Sequence, residues 1–168
     1  VFREDLNTVR ELFQVNCPVF ALVCDLEHAP GFLDLIRRVP LEQRLRRLGR
    51  QYPLIPDVQP SNLADVYKDG VAWITKELLP GILFKLFDLE SPGGSGDPSE
   101  TARANARLYR FLAEMRRRNR GLTHVLTRGM LPDAGVPPLL GGCYMAATGN
   151  DPEREQAFVA SVFRQLTE

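Results

Sequence analysis

The residues able to do chemistry gather after two short apolar runs. Val19–Cys24 is followed by Asp25 and the stretch Asp25–Pro30; Gly142–Ala147 is followed by Thr148–Asp151. A lone carboxylate at the end of an apolar run can accept hydrogen bonds from a ligand. It can equally cap nearby backbone N–H groups in a turn, and both roles stay open for Asp25. Cys17, Cys24 and Cys143 form no C-x-x-C pair. Such an odd set suits a reducing compartment, and Cys24 and Cys143 are expected to pack as small buried hydrophobes. His28 and His124 have no second ligand at a spacing such as H-x-x-x-H, so no metal site is expected. There is no G-x-S-x-G elbow and no Cys–His pair spaced for nucleophilic attack, and His124 beside Thr123 and Val125 reads as a packed or surface residue.

Arginine is the other reactive type. It clusters at Arg37–Arg38, at Arg44, Arg46, Arg47 and Arg50, and at Arg116, Arg117, Arg118 and Arg120. These are solvated helix faces or docking patches for an acidic partner, because a guanidinium makes two parallel hydrogen bonds to a carboxylate. No aromatic residues interleave with them to stack bases, and Lys+Arg 21 balances Asp+Glu 21. Nucleic acid is therefore not an expected partner. No apolar run approaches the ~18–20 residues of a membrane span, so the segment is not expected to insert directly.

The elements that must position these residues follow from periodicity. Phe2, Leu6, Val9 and Phe13 predict an amphipathic helix over about 2–15, ended by Asn16, Cys17 and Pro18. Val19–Cys24 predicts a buried strand, and Phe32, Leu35, Ile36 and Val39 a short helix. Gly49, Pro53, Pro56 and Pro60 predict a loop over about 49–60. A helix capped by Ser61 follows until Pro80-Gly81 kinks or breaks it, and residues 91–98 predict a surface loop. Asp97-Pro98 opens a helix buried along Leu108, Phe111, Leu112 and Met115, with Arg116–Arg120 expected at its C-terminal end. Gly142–Ala147 predicts a second strand, and Asp151-Pro152 opens a last helix with Phe158, Val162, Phe163 and Leu166 on its face.

Strand, polar loop and helix, twice over, is the pattern of a parallel α/β sheet. In such sheets ligands bind beyond the carboxyl ends of the strands. With 44% hydrophobic residues in 168, the chain can build a core, yet two strands cannot make a covered sheet. Since the sequence opens on Val1 rather than Met, the expectation is a segment of a longer protein that holds the remaining strands.

Two segments resemble one family. Pro18-Val-Phe-Ala-Leu-Val-Cys-Asp25-Leu-Glu-His-Ala-Pro-Gly31-Phe32 and Pro138-Leu-Leu-Gly-Gly-Cys-Tyr144-Met-Ala-Ala-Thr148-Gly149-Asn are similar to strand–loop segments of IcmF-type proteins. Those are large inner-membrane components of bacterial type VI secretion systems. The resemblance implies the second half of a cytoplasmic GTPase-like domain: a partial P-loop-GTPase-like parallel sheet with a largely helical insert over about 32–120. It places Asp25 where a guanine edge would be read, and Thr148 and Gly149 where a backbone N–H would approach the base. It further implies that nucleotide binds only with upstream sequence carrying the phosphate loop. The expected partners are the rest of the parent protein and other subunits of a membrane complex. The base-reading pattern asks for Lys two residues before the Asp and Asn or Thr before that; this chain has Val23 and Leu22, and Ala147 replaces the usual Ser. The expectation is a degenerate NTPase-like scaffold, with Asp25, Thr148 and Gly149 as vestigial nucleotide contacts. Arg44, Arg46, Arg47, Arg116, Arg117 and Arg118 are the candidate partner contacts.

Overall fold

A computed structural model describes residues 2–14, 18–54, 60–87, 97–131 and 138–167. The chain order is α1 (Phe2–Phe13), β1 (Val19–Val23), a 3-10 turn (Leu26–His28), α2 (Phe32–Arg38), α3 (Leu41–Arg44), β2 (Leu48–Gln51), α4 (Pro60–Trp73), a π-helical segment (Ile74–Leu78), α5 (Leu79–Leu86), α6 (Pro98–Met130), β3 (Leu140–Met145), β4 (Ala147–Thr148), β5 (Gln156–Ala157) and α7 (Ala160–Thr167).

β1 pairs parallel with β3, the two apolar runs that the sequence marks as strands. The sheet, however, is mixed rather than parallel. Its order is β1-β3-β2, and β2 pairs antiparallel with β3 from Leu48↔Met145 to Gln51↔Gly142. β2 lies where a loop was expected and inside the segment read as a helical insert. Only Leu48 of its four residues is buried, so the strand offers no apolar alternation to detect.

The main core lies on one side of the sheet. Val19, Ala21 and Val23 of β1, Leu48 of β2 and Cys143 and Met145 of β3 pack with apolar residues of α2, α4, the π segment, α5 and α6. Alternation sends Phe20 and Tyr144 to the opposite face, where their rings stack 6.3 Å apart at 22°. A Cβ on Gly142 would sit 2.8 Å from the Tyr144 ring, so glycine there lets the ring lie down along the strand.

Gly31 is the other glycine fixed by geometry. It adopts φ 82° before α2, and a Cβ on it would lie 2.0 Å from Arg107 O on α6. The Pro30-Gly31-Phe32 turn thus brings α2 against α6, with Phe32 edge-on to Phe111 at 5.6 Å.

Pro80 neither breaks nor ends its helix. It has no N–H for a helical bond and its ring crowds the preceding turn. The π segment Ile74–Leu78 widens the helix just before it, and the axis continues to Leu86. Asp97 caps α6 as expected, its carboxylate accepting from Ser99 N at 2.9 Å. α6 is far longer than expected and runs 33 residues to Met130, well past Arg120. Asp151 starts a turn instead of a helix, accepting from Glu153 N and Arg154 N at 3.0 and 3.2 Å. α7 begins only at Ala160, which leaves Phe158 outside it at φ 67°. Cys17, Leu166 and nearly all of the loop expected over 91–98 lie outside the residues whose placement or side chains are described.

Candidate functional site

Because β1 and β3 run parallel, their carboxyl ends open on the same side. Ala146 N donates to Val23 O at 2.8 Å, and Leu26 N donates to Ala146 O at 3.2 Å. The two loops singled out in the sequence therefore meet at one corner.

Asp25 sits there in left-handed backbone, φ 63° and ψ 33°, leading into the 3-10 turn; Asp tolerates this region better than most residues. Its side chain does not cap that turn. Asp25 Oδ1 instead accepts from the Thr148 hydroxyl at 3.2 Å. The Thr148 N–H donates to Glu27 Oε2 at 3.0 Å. Glu27 is held in place, its side chain 8% exposed against 79% for His28 beside it. Gly149 is closed off as well: its carbonyl accepts from Gln156 Nε2 at 2.8 Å, and a Cβ on it would meet the Glu155 side chain at 2.5 Å.

The predicted residues Asp25, Thr148 and Gly149 are thus brought together, and each is engaged by a neighbour in the same corner. Where the family pattern has Lys, Val23 packs against the main core. Glu27 is the functional-type residue that the sequence reading missed. Its signal is the spacing Asp25-x-Glu27-His28, which a tight turn folds into one cluster whose ligand atoms lie within 4.8 Å of one another. These are donor types that hold divalent cations, and they correct the expectation that His28 stands alone. One Glu27 oxygen is already engaged by the Thr148 N–H.

Cys24 is exposed rather than buried. Partial burial pushes its thiol pKa up, the Asp25 and Glu27 charges push the same way, and a hydrogen bond with Thr148 opposes them. A thiol so placed is a poor nucleophile at neutral pH. Cys143 is buried as expected, and burial pushes its thiol up to about 11.

The arginines divide into three kinds. Arg38, one of a pair read as solvated or docking, is buried: it donates to Leu86 O at 2.9 Å and Asn105 Oδ1 at 2.6 Å, while Asn105 Nδ2 donates to Phe87 O at 2.9 Å. It terminates α5 and ties α2 to α6. Burial pulls its pKa down, and Asp34 pushes it back up.

Arg44 is also built into the fold, donating to Val39 O and Glu153 O, both at 2.9 Å. Arg116, Arg117 and Arg118 lie in the middle of α6 rather than at its end. Arg117 forks onto Glu114 at 2.8 and 2.9 Å, and Arg118 reaches the same carboxylate at 2.7 Å. Arg116 is exposed. Arg46 and Arg47 are exposed beside β2 and line an open groove of about 720 Å³.

A family model described as the IcmF-related N-terminal domain matches residues 1–167. No curated protein and no solved structure is significantly similar to the chain.

Proposed function

The chain belongs to the IcmF-related family, as its N-terminal domain, and from that premise we propose that it is a degenerate NTPase-like scaffold in a type VI secretion membrane complex. In this role it joins the rest of its parent protein and neighbouring subunits on the cytoplasmic side of the inner membrane. Among the described residues no helix is long and apolar enough to cross a membrane, so the parent's other segments supply the anchor.

The observation that carries the reading is that the corner, though exposed, is hydrogen-bonded within itself. A base-reading loop must present a free carboxylate and a free backbone N–H to its ligand. Here Asp25 accepts from the Thr148 hydroxyl, and the Thr148 N–H is spent on Glu27. With Val23 in the Lys position, the chain lacks the side chain that would cover a base. Breaking both bonds to admit one would cost about 1 kcal/mol apiece before any contact formed.

A second reading is an active half-domain whose phosphate loop lies upstream. The convergence of the β1 and β3 carboxyl ends favours it, since that is where such sheets bind ligands. Equilibrium binding of labelled GTP to the full-length parent protein separates the two, since both readings expect the 168 residues alone not to bind without an upstream phosphate loop. The scaffold reading expects no saturable binding at sub-millimolar nucleotide. A dissociation constant at or below about 1 μM, worth roughly −8 kcal/mol, overturns it.

A further inference from the structure

The chain from α2 to β2 runs antiparallel to the helix that spans Trp73 to Leu86, and the two are tied at both ends. At one end Arg38 donates to Leu86 O at 2.9 Å. At the other, Arg50 lies over the Trp73 ring at 5.6 Å. Between these ties, among the described residues, no hydrogen bond joins α3 to the helix. α3 is held instead by the chain around Glu153 and Phe158: Arg44 donates to Glu153 O at 2.9 Å, and Phe158 N donates to Arg44 O at 2.6 Å. A groove of about 690 Å³ lies between α3 and the helix.

Its apolar lining comes mostly from the helix, at Trp73, Leu78, Ile82 and Leu86, with Pro40 on the α3 side. Gly81 lies among them, and a Cβ there would meet nothing within 4 Å. No packing contact calls for so poor a helix former at this position, and the missing side chain leaves the groove wider.

The polar lining is Gln43, Arg46, Glu77 and Lys85. The antiparallel course sets Arg46, four residues before Arg50, toward Glu77, four residues after Trp73. Their charges offset each other at that end. Lys85 stands about two helical turns beyond Glu77, and it is exposed. Among the described residues the side chains of Arg46, Glu77 and Lys85 make no hydrogen bond or ion pair.

The walls narrow what can fill this space. Helical walls spend their backbone groups internally, so an extended peptide would bury N–H and C=O groups without partners. A partner helix lying along the groove would collide with the ties, which are only roughly 18 Å apart along the helix. A hydrocarbon chain has no polar groups to satisfy and gains from every methylene it buries.

We propose that the groove binds a single-chain fatty carboxylate, its head at Lys85 and its tail running past Ile82, Gly81 and Leu78 toward Trp73. The offset pair at the far end gives the head no net charge to seek there. None of the lining residues belongs to the Asp25–Thr148 corner, so this site and the scaffold reading stand or fall separately.

Trp73 is the single tryptophan of the chain, so its emission reports occupancy directly. The test titrates the full chain with monomeric octanoate, decanoate and decylammonium. Decanoate is expected to shift the emission saturably. It should bind about fifteenfold tighter than octanoate, at about fourfold per methylene. Decylammonium should bind about tenfold more weakly than decanoate, because it meets repulsion at Lys85 in place of attraction. Lys85→Gln should bring those two ligands close to equal.

Gly81→Leu fills the groove from within a helix that favours leucine over glycine. It should abolish decanoate binding while melting no lower than the parent. A titration without saturation overturns the proposal. So does equal binding of decanoate and decylammonium by the parent chain, or undiminished decanoate binding by Gly81→Leu. A shift produced by phosphatidylglycerol vesicles and not by decanoate also overturns it, in favour of a membrane surface.

Discussion

Arg117 and Arg118 share the Glu114 carboxylate at 2.7–2.9 Å, whereas Arg46 and Arg47 lie exposed just before β2, where Arg47 reaches the Gln51 side-chain oxygen at 3.5 Å. In sequence the two clusters look alike. Their difference is set by the elements beneath them. A helix places a carboxylate three and four residues before a guanidinium on the same face, so α6 neutralises its own arginines. Arg46 and Arg47 follow the four-residue α3 and precede β2, and both side chains are exposed. Arg38 is the extreme case, a guanidinium spent entirely inside the fold. The lesson is that clustering of arginine does not mark a docking surface; what the backbone sets opposite the cluster does.

Three variants test this contrast. The largest effect belongs to Arg38→Ala, which leaves Leu86 O and Asn105 Oδ1 without their donor and opens a cavity among α2, α5 and α6. A loss of about 2–4 kcal/mol is expected in chemical denaturation. A loss under about 1 kcal/mol would return Arg38 to the solvated class.

Glu114→Gln comes next. Hydrogen bonds from Arg117 and Arg118 hold the Glu114 carboxyl down at about 2, below its usual 4.5. A carboxyl with a lowered folded-state pKa contributes its stability in full above the unfolded value. That contribution is lost as the pH falls from about 4.5 through about 2. The pairs are at the surface, so the substitution should cost only about 0.5–1 kcal/mol at neutral pH. It should also flatten this part of the acid-stability profile. An unchanged profile would mean that the α6 arginines are not tied to Glu114 in solution.

The smallest effect on stability is expected for Arg46→Gln with Arg47→Gln, within about 0.5 kcal/mol of the parent by thermal melting. A large destabilisation would show that this pair is built into the fold as Arg44 is, and would erase the contrast with α6.

Much of this architecture was legible in the sequence, and the failures have physical causes. The β1–β3 pair was readable because continuous apolar runs between turn residues have few other uses. So was the cap at Asp97-Pro98. β2 was not readable: Leu-Gly-Arg-Gln has neither alternation nor β-branched residues, and it is a strand only because β3 offers it a ladder. The length of α6 was hidden because Gly121 and Gly129 interrupt its pattern, and tertiary packing at Leu126 and Met130 overrides their low propensity.

At the candidate site, the meeting of Asp25 with Thr148 and Gly149 followed from strand topology. The part played by Glu27 did not, since it depends on a left-handed residue folding back the turn. Arg38 was missed because burial of a guanidinium depends on helix ends distant in sequence.

α6 has a mechanical consequence. Its 33 residues form a rod about 50 Å long at 1.5 Å per residue, long for a domain of this size. It packs against α1, α2, α4, the π segment and α5, so five elements share one stiff strut. A tilt of about 5° about its middle carries each end through roughly 2 Å, more than a packed interface absorbs by side-chain adjustment alone. A load applied at either end of α6 would thus be felt across the helical layer at once, and that layer would answer as a single body.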